Sequence, residues 1–362
     1  MRYIASGLIW MLLLLGIGCQ SPTEDRDADP DPEPDTTAAP TVGLDSTHMA
    51  DAVAAAEDLS ALHGLIVARH GDAEAEHRFN GPSLDTPVNV KSVSKTILSA
   101  LIGIAIDEGY LEGPDQPIAP FFEQYLTSND DPRKRDITIG HLLAMKSGLE
   151  RTSGSNYGAW VATNNWVRNA LQRPLQSDPG TERRYSTGNT HLLSAILTQA
   201  TDQSTWAFAR SYLADPLGIR LPQWPTDPQG IYFGGNDMRV SPRGLVAFGE
   251  MYRNRGLVDS MQVVSNEWIQ TSWTPRAESR WSGAGYGYGW FTDDIHGHPT
   301  YYGWGFGGQY LYVVPSLELT IAITSDPTGA GGRSHRRDVQ HIVSDHIIPA
   351  AIKGHMVRTP DV

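Results

Sequence analysis

The chain has 362 residues, 40% of them hydrophobic, enough for one large domain or two intimate subdomains. Its formal net charge of −13 argues against nucleic acid as a partner, which would need a basic face. Cys19 is the only cysteine, so a disulfide within the chain is excluded and the fold must rest on its core.

The N-terminus carries Arg2, then an apolar run from Leu8 to Ile17, then Gly18 and Cys19. The run is shorter than the ~20 residues a spanning helix needs and suits a signal-peptide core. A lone cysteine directly after such a core resembles a bacterial lipoprotein processing site. That resemblance implies a signal segment over 1–19 and a lipid on Cys19. The protein is then exported to the cell envelope, at the outer membrane or periplasmic face, and meets the membrane through that lipid. An ordinary secretory signal with an incidental cysteine is the alternative. Residues 20–45 follow, with Glu24, Asp25, Asp27, Asp29, Asp31, Glu33 and Asp35 against Arg26, interleaved with Pro30, Pro32 and Pro34. Such a stretch repels itself and cannot bury a core, so it reads as a linker to a domain over 46–362.

Within that domain, residues 64–80 read as a hairpin turning at Gly71 and Asp72. Helical patterns then dominate from Ser92 to about Leu217. Thr138 caps a short helix ending near Gly148, and Leu192–Ala200 and Trp206–Leu213 form two more. Ser241 with Pro242 starts a helix running toward Gly256. From Tyr286 the period changes. Residues 288–292, 310–314 and 317–324 read as strands, and His335–Ile348 as a final helix. Strands at both ends and helices in the middle predict an α+β fold: one antiparallel sheet flanked by helices, plus a mostly helical lobe over about 100–235. A cleft between such parts is a favoured place for a site.

Three short elements carry chemistry. The first is Ser92, Val93, Ser94, Lys95. A serine hydroxyl is a poor nucleophile until a base takes its proton, and a lysine three residues on lies one helical turn away on the same face. Alone, this spacing also fits a capping serine followed by a solvated lysine. The continuation Val93, Ile97, Leu98, Leu101, Ile102, Ile104, Ala105, Ile106 is too apolar for a surface helix and favours a buried one. The second element runs from Pro179 and Gly180 to Tyr185, Ser186 and Thr187, just before an apolar helix. A phenol there can relay a proton, or simply pack. The third is Tyr302, Gly303, Trp304, Gly305, Phe306, Gly307, Gly308, Gln309 before a strand. Its glycines let a substrate approach the backbone, or form a plain turn. The histidines make no ligand-spaced cluster; His296 and His298 come nearest. Neither a metal nor a cofactor is expected.

In this order, and with the run from Ile139 to Leu149, these elements resemble the serine β-lactamase and penicillin-binding-protein superfamily. The similar branch comprises class C β-lactamase-related esterases, D-amino-acid peptidases and 6-aminohexanoate-dimer hydrolases. The resemblance covers roughly residues 46–350 and implies a β-lactamase-like fold. It implies Ser92 as the acylated nucleophile, Lys95 as its base and Tyr185 as a proton relay. It implies an oxyanion hole from the N–H groups of Ser92 and Phe306. Thr187, Gly303, Trp304, Gly305 and Gly307 would line the substrate. Trp304, Tyr302, Trp160, Trp166 and Tyr286 suggest an aromatic pocket, or ordinary core packing.

Two positions depart from the pattern. Thr187 stands where β-lactamases carry Asn, and Gly303 (or Phe306, in the other frame) stands where they carry Lys or His. The expected activity is therefore serine hydrolysis of a small-molecule ester or amide, through an acyl-enzyme. The alternatives are a β-lactamase or D,D-peptidase acting on cell-wall material such as a peptidoglycan fragment, and a non-catalytic peptidoglycan-binding protein on the same fold.

Overall fold

The computed structural model describes residues 43–127, 129–280 and 282–356. The signal segment, Cys19 and nearly all of the acidic linker lie outside the described residues. Gly43–Asp45, which the sequence reading assigned to the linker, are tied to the folded body. Gly43 O accepts from Arg69 Nη1 at 3.1 Å, and Asp45 N donates to Ala350 O at 3.0 Å.

The strands are β1 (Leu62–Arg69), β2 (Asp72–Arg78), β3 (Val88–Asn89), β4 (Arg239–Val240), β5 (Leu257–Val258) and β6 (Met261–Gln262). They continue with β7 (Ala277–Glu278), β8 (Gly285–Tyr286), β9 (Phe291–Ile295), β10 (His298–Gly305), β11 (Gln309–Val314) and β12 (Leu319–Ser325). Eight of them form one antiparallel sheet in the order β2-β1-β12-β11-β10-β9-β8-β7. Pairing of β1 with β12 joins the two ends of the domain, as strands at both ends of the sequence required. The β3–β4 pair stands apart and bridges residues 88–89 to 239–240.

The sheet separates two apolar clusters, and the period of two decides which residue enters which. On β11, Leu311 and Val313 join one cluster while Tyr310, Tyr312 and Val314 join the other. The first cluster contains the helix Ser94–Asp107, whose residues from Ser94 to Ala105 are all buried, and the helix Thr187–Thr201. The second contains the first helix, Ser46–Glu57, and the last, Gly332–His341 continuing through Met356.

Several elements differ from the reading of the sequence. The helix capped by Thr138 stops at Leu143, five residues before Gly148. The helix expected from Leu192 starts at Thr187, because its first N–H groups find partners outside the helix. The segment 298–305 is a full strand, so the third element ends one strand as well as preceding the next. Residues 288–290 precede β9 rather than forming it.

Candidate active site

Ser92 occupies a single 3-10 turn, Lys91–Val93, that leads into the helix Ser94–Asp107. It therefore lies just before the α-helix rather than inside its first turn. Lys91 has φ +51°, a left-handed conformation that costs a residue with a side chain about 1–2 kcal/mol. Several bonds hold it there. Lys91 N donates to Asn89 Oδ1 at 2.9 Å, and Asn89 Nδ2 donates to Asp237 Oδ1 at 2.7 Å. Val90 N donates to Met238 O at 3.0 Å, and Met238 N to Ser94 Oγ at 3.2 Å. The serine turn is thus clamped from both sides by the segment 237–238 and the β3–β4 pair.

Lys95 is 2% exposed. Its Nζ donates to Ser92 Oγ at 3.0 Å and to the carbonyl of Gly235. The same Nζ lies 5.0 Å from the ring centre of Tyr185. The structure therefore brings together Ser92, Lys95 and Tyr185. It adds Gly235, which the sequence reading missed; its only signal was the pair Gly234–Gly235 in a long loop. That pair is required by close approach. A Cβ on Gly235 would overlap Thr190 Oγ1 and come 3.2 Å from Lys95 Nζ, and one on Gly234 would run into Thr190 O.

Tyr185 precedes the helix Thr187–Thr201, whose N-terminus is capped from another segment. Thr187 N donates to Ser153 Oγ at 2.8 Å and Gly188 N to Thr152 Oγ1 at 2.7 Å. Thr187 Oγ1 is itself 2.9 Å from Ser153 Oγ, so this hydroxyl is spent on the cap. The run Ile139–Leu149 underlies the tyrosine loop: Arg184 N donates to Met145 O at 2.8 Å, and Gly180 N to Lys146 O at 2.7 Å.

The third element forms the end of β10 and its turn into β11. Pairing with β9 stops at Tyr302 opposite Phe291, so Gly303, Trp304 and Gly305 run past the end of that neighbour. A Cβ on Gly303 would sit 2.7 Å from Thr96 Oγ1 and 3.3 Å from Val93 Cγ1. One on Gly305 would overlap Val90 O. Both glycines therefore let β10 press directly on the serine turn and its helix. Phe306 follows at the turn and is 58% exposed.

The other expected lining residues fall elsewhere. Trp304 points to the opposite face from Gly303 and Gly305, where it meets Phe291 at 6.4 Å between ring centres. Gly307 faces Asp326, whose carbonyl a Cβ would strike. Trp160 and Trp166 pack on each other at 5.3 Å and around His191 and Phe233 in the helical core. Tyr286 and Tyr302 are buried behind the open edge, and burial pushes the Tyr302 phenol up to about 12. The expected single aromatic pocket is thus two separate packing clusters.

Comparisons with known proteins agree with this arrangement. The family model described as Beta-lactamase matches residues 49–343. The chain is 24% identical over 255 residues to a 6-aminohexanoate-dimer hydrolase of Paenarthrobacter ureafaciens, covering 65% of this chain and 63% of that protein. It is 29% identical over 177 residues to the esterase EstB of Burkholderia gladioli, covering 44% of each. The matches thus span less than two thirds of either relative. The fold is similar to that of an octameric penicillin-binding protein homologue from Pyrococcus abyssi, with a TM-score of 0.63 and 18% identity over 82% of this chain and 76% of that one. With a family match over most of its length, a β-lactamase-like sheet and the paired Ser92 and Lys95, the chain belongs to the Beta-lactamase family.

Proposed function

We propose that the protein is a serine hydrolase that cleaves an ester or amide through an acyl-enzyme on Ser92. The observation that carries this reading is the 3.0 Å contact between Lys95 Nζ and Ser92 Oγ, made by a lysine almost wholly removed from water. Lys95, as the neutral amine, accepts the serine proton while Oγ attacks the substrate carbonyl carbon. The N–H groups of Ser92 and Phe306 receive the developing oxyanion; one such donor is worth about 2.7–4 kcal/mol elsewhere. The tetrahedral intermediate collapses, the C–O or C–N bond breaks, and the leaving alcohol or amine takes a proton relayed by Tyr185. Water then attacks the acyl-serine and releases the acid. The names of the hydrolase and esterase relatives support this class of substrate. The test is labelling with a fluorophosphonate probe. Ser92 is expected to carry the label, and Ser92→Ala to lose both label and turnover; full turnover by Ser92→Ala would end the reading.

The N-terminal reading belongs to the same proposal. The apolar run Leu8–Ile17, Cys19 and the acidic linker support an exported lipoprotein whose catalytic domain is held off a membrane. Cys19→Ser is expected to move the active protein out of the membrane fraction. Unchanged partitioning would overturn it.

A further inference from the structure

The first helix, Ser46–Glu57, carries more apolar surface than the core uses. Ala52 and Ala56 are fully buried against the body. Met49, Ala50, Val53 and Ala54 recur at helical spacing on a neighbouring face, where Met49 and Val53 are half-buried and Ala50 and Ala54 exposed. This second stripe lines an open groove of about 660 Å³ whose other wall is β2, with Ala75 on it. The groove lies outside the active site. Three strands, β1, β12 and β11, separate β2 from β10, which presses on the serine turn. At the usual spacing between strands, that is about 19 Å.

The strand beside the groove is the edge of the sheet. Among the described residues β2 pairs with β1 alone. Alternate residues of an edge strand direct N–H and C=O away from their one neighbour, so β2 borders the groove with a free row of donors and acceptors. Its pairing skips Glu74 and is regular from Ala75 to Arg78. Charge then selects what can lie there. Glu57 and Glu74 both line the groove. Glu74 accepts the N–H of Leu44 at 2.7 Å, and Glu76 on the same strand pairs with Arg243. Among the described residues neither Glu57 nor Glu74 has a cationic partner. A second copy of the chain added edge to edge would set Asp72, Glu74 and Glu76 against their own counterparts, and like charges on adjacent strands repel.

We propose that this groove docks an extended, basic peptide segment of a partner protein, which adds to β2 as a further strand. The backbone of the segment pairs with the regular stretch Ala75–Arg78. Its alternate, small apolar side chains rest on Met49 and Val53, and flanking lysines or arginines meet Glu57 and Glu74. Main-chain pairing supplies affinity in this mode of recognition, while the groove and its two carboxylates supply selectivity. The surface is independent of the hydrolase reading and survives its failure.

The test is fluorescence anisotropy with the full chain and three fluorescein-labelled peptides: acetyl-KVTVTVK-amide, its acidic counterpart acetyl-EVTVTVE-amide, and acetyl-KVTPTVK-amide. The first is expected to bind saturably and at least about fivefold more tightly than the second, the weight of exposed charge pairs. The third is expected to bind more weakly than the first, because its central proline has no N–H to give the strand edge. Ala50→Trp, at an exposed helical position, fills the groove and is expected to abolish binding. Glu57→Lys, also exposed, is expected to weaken the lysine peptide about fivefold and to strengthen the glutamate peptide, and it decides the matter should Ala50→Trp not fold. No saturable binding of the lysine peptide, equal affinity for the lysine and glutamate peptides, or affinities unmoved by Glu57→Lys would overturn the proposal. So would a dimer in sedimentation that Ala50→Trp dissolves, which would assign the edge to a second copy of the chain.

Discussion

Gly235 gives its backbone carbonyl to Lys95 from 140 residues further along the chain. Lys95 Nζ is thereby fixed between that carbonyl and Ser92 Oγ, so its position depends on how closely the 233–238 segment sits on the helix Thr187–Thr201. Gly235→Ala puts a methyl group where Thr190 Oγ1 stands and 2.8 Å from Thr187 Cγ2. Displacing a base by about 1 Å costs up to ~100-fold in rate. The expected result for Gly235→Ala is a kcat lowered by about 10–100-fold with KM little changed. A rise in KM with kcat unchanged would show that Gly235 serves binding and not the base.

Lys95 itself has a sharper test. A guanidinium keeps its proton at any working pH and cannot serve as the base. General-base catalysis contributes about 10²–10⁴-fold, so Lys95→Arg is expected to lose at least about 100-fold in both turnover and fluorophosphonate labelling. Near-wild-type labelling in Lys95→Arg would place the base elsewhere.

How much of this was legible in the sequence follows from the range of each interaction. Ser92 and Lys95 are three residues apart, so spacing offers the pair and the apolar run that follows favours it over a capping serine with a solvated lysine. Tyr185 announces itself by the turn and apolar helix around it. Gly235 has no such signal, because its role comes from a tertiary contact and uses only a carbonyl that every residue possesses. The capping of Thr187 and Gly188 by Ser153 and Thr152 is equally long-range, and it starts that helix five residues early. Trp304 is a different case. Once 298–305 is a strand, the period of two sends residue 304 away from 303 and 305; placing these residues at a strand edge without counting that alternation concealed it.

A buried pair in the helical core supports the Gly235 segment. His191 Nε2 lies 3.0 Å from Asp227 Oδ2, and Asp227 Oδ1 accepts from Gln229 N at 2.8 Å and Ile231 N at 2.9 Å. Asp227→Ala strands the buried His191 ring and leaves two part-buried backbone N–H groups without their acceptor. The expected loss is about 3 kcal/mol of unfolding free energy, read by urea denaturation. A loss below about 0.5 kcal/mol would mean the loop holds its shape without this carboxylate.

Stability is expected to fall on mild acidification. Burial holds His335 and His141 below the ordinary histidine value of 6.5. The unfolded chain then takes up protons as pH drops through about 6.5, while the folded chain resists until its own lower values are reached. The unfolded state binds more protons in that window, so unfolding free energy declines from pH 6.5 downward. His335 Nε2 lies 3.0 Å from Ser325 Oγ, which donates to Gly308 O at 3.1 Å beneath the turn that carries Phe306. His335→Gln keeps a donor there without titrating. Its stability is expected to decline less steeply between pH 6.5 and 5 than that of the wild type, with His141 supplying the remainder. Identical slopes would remove His335 from the account.

The substrate preference against cephalosporins follows from two side chains. The resemblance to β-lactamases implies a cation at position 303, or at 306 in the other frame, and an amide at position 187, which hold the lactam's carboxylate and acylamino group. Here Gly303 has no room for any side chain against Thr96 and Val93, and the Thr187 hydroxyl is bound to Ser153. A cephalosporin bound in that pose leaves both groups poorly paired, at about 1–3 kcal/mol each and more for the charge. Losses of that size lower kcat/KM by several orders of magnitude relative to a site built for the lactam. Acyclic acyl esters, with no fused ring to fix the carboxylate at position 303, do not incur them. The expected order is a higher kcat/KM for short p-nitrophenyl esters than for nitrocefin, measured on one preparation at one pH. Nitrocefin exceeding every ester and simple amide tested would reverse the assignment in favour of a β-lactamase.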